Sequence, residues 1–130
     1  MSDAGALKGL RVLVVEDQAL VAMEIENLLM DRGCEVVGPA STVEVALRCV
    51  KTRQIDGALL DVNLQGKDVL PVAEELQKRG TPFILVTGYP SRETDIPIIR
   101  AARRIKKPFV PSELVAAMAE VFAPEPAALP

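Results

Sequence analysis

Four apolar stretches of this 130-residue chain each hand over, at their downstream end, to a polar residue. Val12-Leu13-Val14-Val15 runs into Glu16-Asp17, Ala58-Leu59-Leu60 into Asp61, and Phe83-Ile84-Leu85-Val86 into Thr87. The segment through Ile105 ends at Lys107-Pro108. Continuous apolar runs, without alternation, are the pattern of strands buried on both faces of a parallel sheet. Laid parallel, these strands gather three carboxylates, a hydroxyl and an ammonium along one edge of one sheet.

The segments between the strands carry helical spacing. Val21, Ile25, Leu28 and Leu29 form an apolar stripe, and Gly33 supplies its C-terminal stop. Glu35 to Gly38, with Pro39, reads as a short second strand. Ser41-Thr42-Val43-Glu44 reads as a capping box with Ser41 as the acceptor, ahead of the stripe Val43, Ala46, Leu47 and Val50. The third strand spans Gly57 to Val62, followed by a turn at Gln65-Gly66-Lys67. Asp68 then caps a helix that turns Val69, Val72, Ala73 and Leu76 inward, with Pro71 in its tolerant first turn. Phe83 to Val86 is the fourth strand and Arg103 to Lys106 the fifth. Between them Pro90 and Pro97 make any helix over residues 88–101 short or displaced. Pro111 opens a last helix with Leu114, Val115, Met118, Val121 and Phe122 inward.

Alternating strands and helices predict an α/β domain with a doubly wound parallel sheet. Such sheets bind ligands beyond the carboxyl ends of their strands, where the polar residues stand. The reading divides the chain into a flexible N-terminus (1–9), one domain (10–122) and a disordered tail (123–130), with no internal repeat. No apolar run approaches the ~20 residues a membrane helix needs, and no signal peptide opens the chain, so a cytoplasmic location is the default. A net charge of −3 argues against nucleic acid as a partner. The absence of histidine removes imidazole triads, histidine-ligated zinc and any phosphohistidine donor role. Cys34 and Cys49, with no CxxC, read as small apolar side chains.

The charges dictate the chemistry. Two carboxylates about 4 Å apart repel by roughly 4 kcal/mol at the effective dielectric near a protein surface. Three at one edge need relief, which Lys107 supplies in part and a magnesium ion would complete through oxygen ligands. Asp61 can then act as a nucleophile on phosphorus, with Thr87 and Lys107 on the phosphoryl oxygens. Blander readings exist: Glu16 and Asp17 favour a helix N-terminus, and Thr87 suits a turn. Asp56 reads as a plain turn residue, without chemistry. Arg100, Arg103, Arg104 and Lys106 either protect an edge strand from aggregation or meet an acidic partner.

Val-Val-Glu16-Asp17, Leu-Leu-Asp61-Val-Asn63-Leu, Val-Thr87-Gly88 and Lys107-Pro108-Phe109 together resemble the signature set of response-regulator receiver domains, over Leu10 to Phe122. The resemblance implies a flavodoxin-like receiver fold with strand order 2-1-3-4-5. It implies Asp61 as phosphoacceptor and Mg2+ on Asp17, on Asp61 and on the backbone carbonyl of Asn63, with Glu16 acting through a metal-bound water. Thr87 and Lys107 would contact the phosphoryl group, and the Lys107-Pro108 bond would be cis. Gly88 would leave access to the acyl phosphate, while the side chains of Asn63 and Tyr89 would tune its hydrolysis. The implied donor is a histidine kinase or a histidine phosphotransfer protein, with output by protein–protein contact. The domain would be no enzyme beyond its own phosphorylation and dephosphorylation. Two alternatives accompany this reading: a phosphate sink, or the receiver portion of a hybrid histidine kinase, against which Met1 and the short tail favour a complete protein.

One departure stands out. Arg104 occupies the position where receivers carry an aromatic residue coupled to the threonine. Val86-Thr87-Gly88-Tyr89 instead looks like part of the Phe-Ala-Thr-Gly-Tyr-like motif of a stand-alone subclass, although the alanine-threonine spacing differs. A switch through Tyr89, Gly88 and the segment to Ala101 is therefore the expectation. Other classes fit less well. A flavodoxin would place a hydroxyl-rich phosphate loop where Glu16-Asp17 stands, and a haloacid-dehalogenase-like phosphatase would carry Asp-x-Asp on its first strand.

Overall fold

The computed structural model describes residues 7–64, 67–88, 98 and 102–123. Its main sheet contains β1 (Arg11–Val15), β2 (Glu35–Ala40), β3 (Gly57–Asp61), β4 (Phe83–Thr87) and β5 (Arg103–Lys106). These stand in the order 2-1-3-4-5, as the family resemblance implies, and all neighbouring pairs are parallel. Four helices occur among the described residues: α1 (Ala19–Asp31), α2 (Val43–Thr52), α3 (Leu70–Lys78) and α4 (Pro111–Phe122).

Strand side chains alternate between two apolar layers, which is why the strands must be apolar throughout. Leu13, Val15, Ala58, Leu60 and Leu85 point to the layer covered by α2 and α3. Val12, Val14, Leu59, Ile84, Val86 and Ile105 point to the layer covered by α1 and α4. Burying a side chain of this size stabilises by roughly 1.5–3 kcal/mol, so the sheet's centre is held from both sides.

Local signals set the helix ends. Gly33, at φ 79°, ends the turn after α1, where its N–H reaches Met30 O and Cys34 N–H reaches Leu29 O. The capping acceptor of α2 is Thr42, not Ser41: the Thr42 hydroxyl accepts from Val45 N–H at 3.1 Å. Both residues carry a hydroxyl, and the helix starts one residue later than the box predicts. Asp68 Oδ1 accepts the Leu70 N–H at 2.8 Å at the start of α3, although Val69 holds the cap position.

Other differences are small. β3 ends at Asp61 and not Val62, while β4 continues through Thr87. A two-residue antiparallel ribbon pairs Asn63–Leu64 with Lys67–Asp68, where the sequence suggests only a turn. Leu7, within the segment read as a loose N-terminus, is fully buried in the α1/α4 layer. Asp56, read as a turn residue, accepts the Arg11 N–H on Oδ2 at 2.8 Å and so ties the start of β1 to the approach to β3. Of the helix expected within residues 88–101, only Gly88 and Ile98 lie among the described residues; Tyr89 and Arg100 lie outside them, as do the tail residues 124–130.

Candidate functional site

The register brings the predicted residues to one edge. Val15 pairs with Leu60, Asp61 with Val86 and Thr87 with Lys106, so Glu16, Asp61, Thr87 and Lys107 meet at the carboxyl ends of four strands. Carboxylate oxygens of Glu16, Asp17 and Asp61 lie within 4.8 Å of one another. Glu16, Asp61 and Thr87 are buried, Glu16 to 2% exposure. Lys107 directly follows β5 and leads into Pro108 through a cis bond, and its N–H donates to Thr87 O at 2.8 Å.

Lys107 ties the cluster together. Its Nζ lies 2.7 Å from Glu16 Oε1 and 3.4 Å from Asp61 Oδ2, with only 18% of the side chain exposed. Burial acts to lower the ammonium's pKa. The contact with the Glu16 carboxylate and the charges of Asp61 and Glu16 outweigh it and hold Lys107 above the usual lysine value. Sequence reasoning assigns Glu16 only an indirect role through a metal-bound water, so this direct pairing is a finding of the structure. No local signal in the sequence encodes it.

Glu16 has a second contact. Its Oε2 accepts the Gln18 N–H at 3.1 Å, at the start of a helix whose own cap residue contributes no side-chain bond. The bland reading of Glu16 as a helix-starting acid therefore holds alongside its place in the cluster. Oε1 is met by the Lys107 charge and not by an aligned hydrogen bond.

The donor set suits a hard cation. Glu16 and Asp61 share one ammonium, Asp17 adds a third carboxylate, and all the offered ligands are oxygen. Gly88 adds room: among the described residues a Cβ there would meet nothing nearer than Lys107 Cβ at 4.0 Å. Arg104 lies on β5 opposite Leu85, half-buried. Asn63 opens the short ribbon just after Asp61. A cavity of about 300 Å³ adjoins the cluster, lined by Gln18, Val21, Glu24, Lys107, Pro108 and Phe109. Another, of about 450 Å³, lies beside Pro82 and Phe83 at the amino ends of the strands, away from the carboxylates.

This geometry could hold a cation, and the comparisons with known proteins identify the family. The family profile for the response regulator receiver domain matches residues 12–119. The chain belongs to that family. It is a two-component signalling receiver, the class of domain that accepts a phosphoryl group. It is similar to the transcriptional regulatory protein PdtaR of Mycobacterium tuberculosis, with 30% identity over 124 residues, covering 90% of this chain and 58% of PdtaR. The solution structure of SdrG from Sphingomonas melonis Fr1 superposes with a TM-score of 0.75 at 37% identity, covering 92% of this chain and 97% of SdrG. The crystal structure of the response regulator PhyR from Brucella abortus gives a TM-score of 0.77 at 28% identity, covering 92% of this chain and 51% of PhyR. The chain spans about half the length of the curated relatives it matches. No helix among the described residues is long and apolar enough to cross a membrane.

Proposed function

We propose that Asp61 is the phosphoacceptor, that Asp17, Asp61 and the Asn63 carbonyl hold Mg2+ with Glu16 assisting through water, and that Thr87 and Lys107 stabilise the phosphoryl group. The observation that carries this reading is the Lys107 ammonium lying between Glu16 and Asp61, at 2.7 and 3.4 Å, within a three-carboxylate cluster. Bound magnesium would supply positive charge against the phosphoryl oxygens and the repelling carboxylates.

The chain's own residues do the rest. An Asp61 oxygen attacks phosphorus of a phosphohistidine on a histidine kinase or phosphotransfer protein. The P–O bond forms as the P–N bond breaks, and the electron pair leaves with the donor imidazole. Lys107 is held charged and close, so it needs little rearrangement to pair with the incoming charge. Thr87, at the end of β4, donates its hydroxyl proton to a phosphoryl oxygen. Gly88 keeps the approach to Asp61 open. Water later cleaves the acyl phosphate and restores the carboxylate.

Output passes through contact with another protein, and the likeness to SdrG runs along nearly all of SdrG's length. The test offers acetyl phosphate with magnesium and follows intact mass. Wild type gains one phosphoryl group, Asp61→Asn gains none, and omission of magnesium abolishes the gain. A mass gain that survives Asp61→Asn would remove Asp61 from the role.

A further inference from the structure

β1 and β2 fall out of step near their carboxyl ends. Arg11, Val12 and Leu13 pair in turn with Glu35, Val36 and Val37, but Val15 then pairs with Ala40. Gly38 and Pro39 therefore stand opposite Val14 alone, which makes a bulge in β2. The extra residue changes which way the strand faces. Val37 and Ala40 both lie in the apolar layer under α2 and α3, whereas residues three apart on a regular strand face opposite sides.

Glycine is what allows the bulge. Gly38 holds φ at 94°, a left-handed conformation that other residues rarely adopt. A Cβ there would fall 2.8 Å from Ala40 N and 3.2 Å from Val14 O. Both are backbone atoms, so neither can swing aside.

The bulge delivers the Ala40 carbonyl to Glu16. The Glu16 N–H donates to Ala40 O at 3.0 Å, one residue beyond the end of β1. On its other flank β1 pairs with β3 as far as Val15 opposite Leu60. The bond to β2 thus carries the order of the sheet into Glu16-Asp17, whose carboxylates must meet that of Asp61. Bulges beside functional sites re-aim side chains in this way.

We propose that Gly38 is a positioning residue for the acidic cluster. By permitting the bulge it sets the Ala40 carbonyl that anchors Glu16, and so fixes Glu16 and Asp17 relative to Asp61. It acts through the β2 backbone, without touching metal or phosphoryl group. The proposal rests on the reading of the cluster as the magnesium site of a phosphorylated Asp61.

The test compares Gly38→Ala with Gly80→Ala in the full chain. Gly80 also has a positive φ, at 72°, but a Cβ there meets nothing within 4 Å among the described residues, and it precedes β4 at the opposite edge of the sheet. Both variants melt earlier than wild type. Gly38→Ala alone binds magnesium several-fold more weakly, read from the Gln18 amide NMR signal at a temperature where every protein is folded. Wild-type affinity in Gly38→Ala, or an equal loss in Gly80→Ala, overturns the positioning role. Gly38→Asn tolerates positive φ yet keeps the Cβ, and carries the same expectation where the alanine variant does not fold. In the unsubstituted chain the Glu16 amide exchanges slowly with solvent, with or without magnesium, and rapid exchange overturns the anchor. Absence of magnesium binding by wild type, or of a mass gain from acetyl phosphate, overturns the acceptor reading and this proposal with it.

Discussion

Gly57 lies beneath the ring of Phe122, so close that a Cβ at position 57 would fall 2.6 Å from two of its ring carbons. This contact seats the last helix on the first residue of β3, and no flexible side-chain end is available to yield. Gly57→Ala should destabilise the fold by about 1–3 kcal/mol through overpacking. Chemical denaturation measures the loss, and Phe122→Leu added to Gly57→Ala should return part of it.

The start of α2 offers a second test. Thr42→Ala removes the hydroxyl that accepts from Val45 N–H and should cost about 1 kcal/mol. Ser41→Ala, one residue earlier, should cost clearly less. Equal losses in urea denaturation would reinstate the capping box centred on Ser41.

Removing Lys107 leaves the buried Glu16 carboxylate without its ion-pair partner. Partial exposure of Lys107 moderates the penalty, so Lys107→Met should cost about 2–3 kcal/mol without metal. Magnesium should recover part of that loss, because the cation takes over the missing positive charge. Thermal unfolding with and without magnesium reads both effects, and Asp17→Asn should weaken the metal's contribution in wild type.

Gly88→Ala separates packing from access. Among the described residues the added methyl meets nothing closer than 4.0 Å, so the unfolding midpoint should remain nearly unchanged. Phosphorylation by acetyl phosphate should slow, since the methyl stands beside Lys107 at the mouth of the site. Stopped-time intact mass follows the rate.

Burial pushes the Cys34 thiol above its ordinary pKa. The raised folded value means this group contributes stability fully below the unfolded thiol pKa, about 8.5, and loses it as pH rises through the folded value. The stability advantage of wild type over Cys34→Ala should therefore shrink in alkaline solution. Iodoacetamide should label Cys49 faster than Cys34 in native protein, because Cys34 is buried and donates to Leu7 O while Cys49 is half-buried.

The strands and the acidic edge were legible because each signal is local. An unbroken apolar run has one reading in a short α/β chain, and the polar residue that ends it marks the carboxyl edge. β5 matched at both ends, Arg103 and Lys106. The contacts that depend on tertiary approach were not legible. Nothing near Glu16 announces that its carboxylate pairs with Lys107, nor does Gly57 announce the Phe122 ring. Ser41 and Thr42 offer the same functional group, so only the backbone decides between them. The ribbon at Asn63–Leu64 and Lys67–Asp68 is too short to leave a periodic trace.

The cluster draws its acids from β1 and β3 and its ammonium from the far side of β5, so biosynthesis assembles it out of order. A nascent chain that has emerged only through Asp61 carries every carboxylate of the centre and lacks the amine that balances them. Until the final strand docks, those acids repel one another without the ammonium that balances them. Charge balance at this edge thus arrives only with the last piece of the sheet.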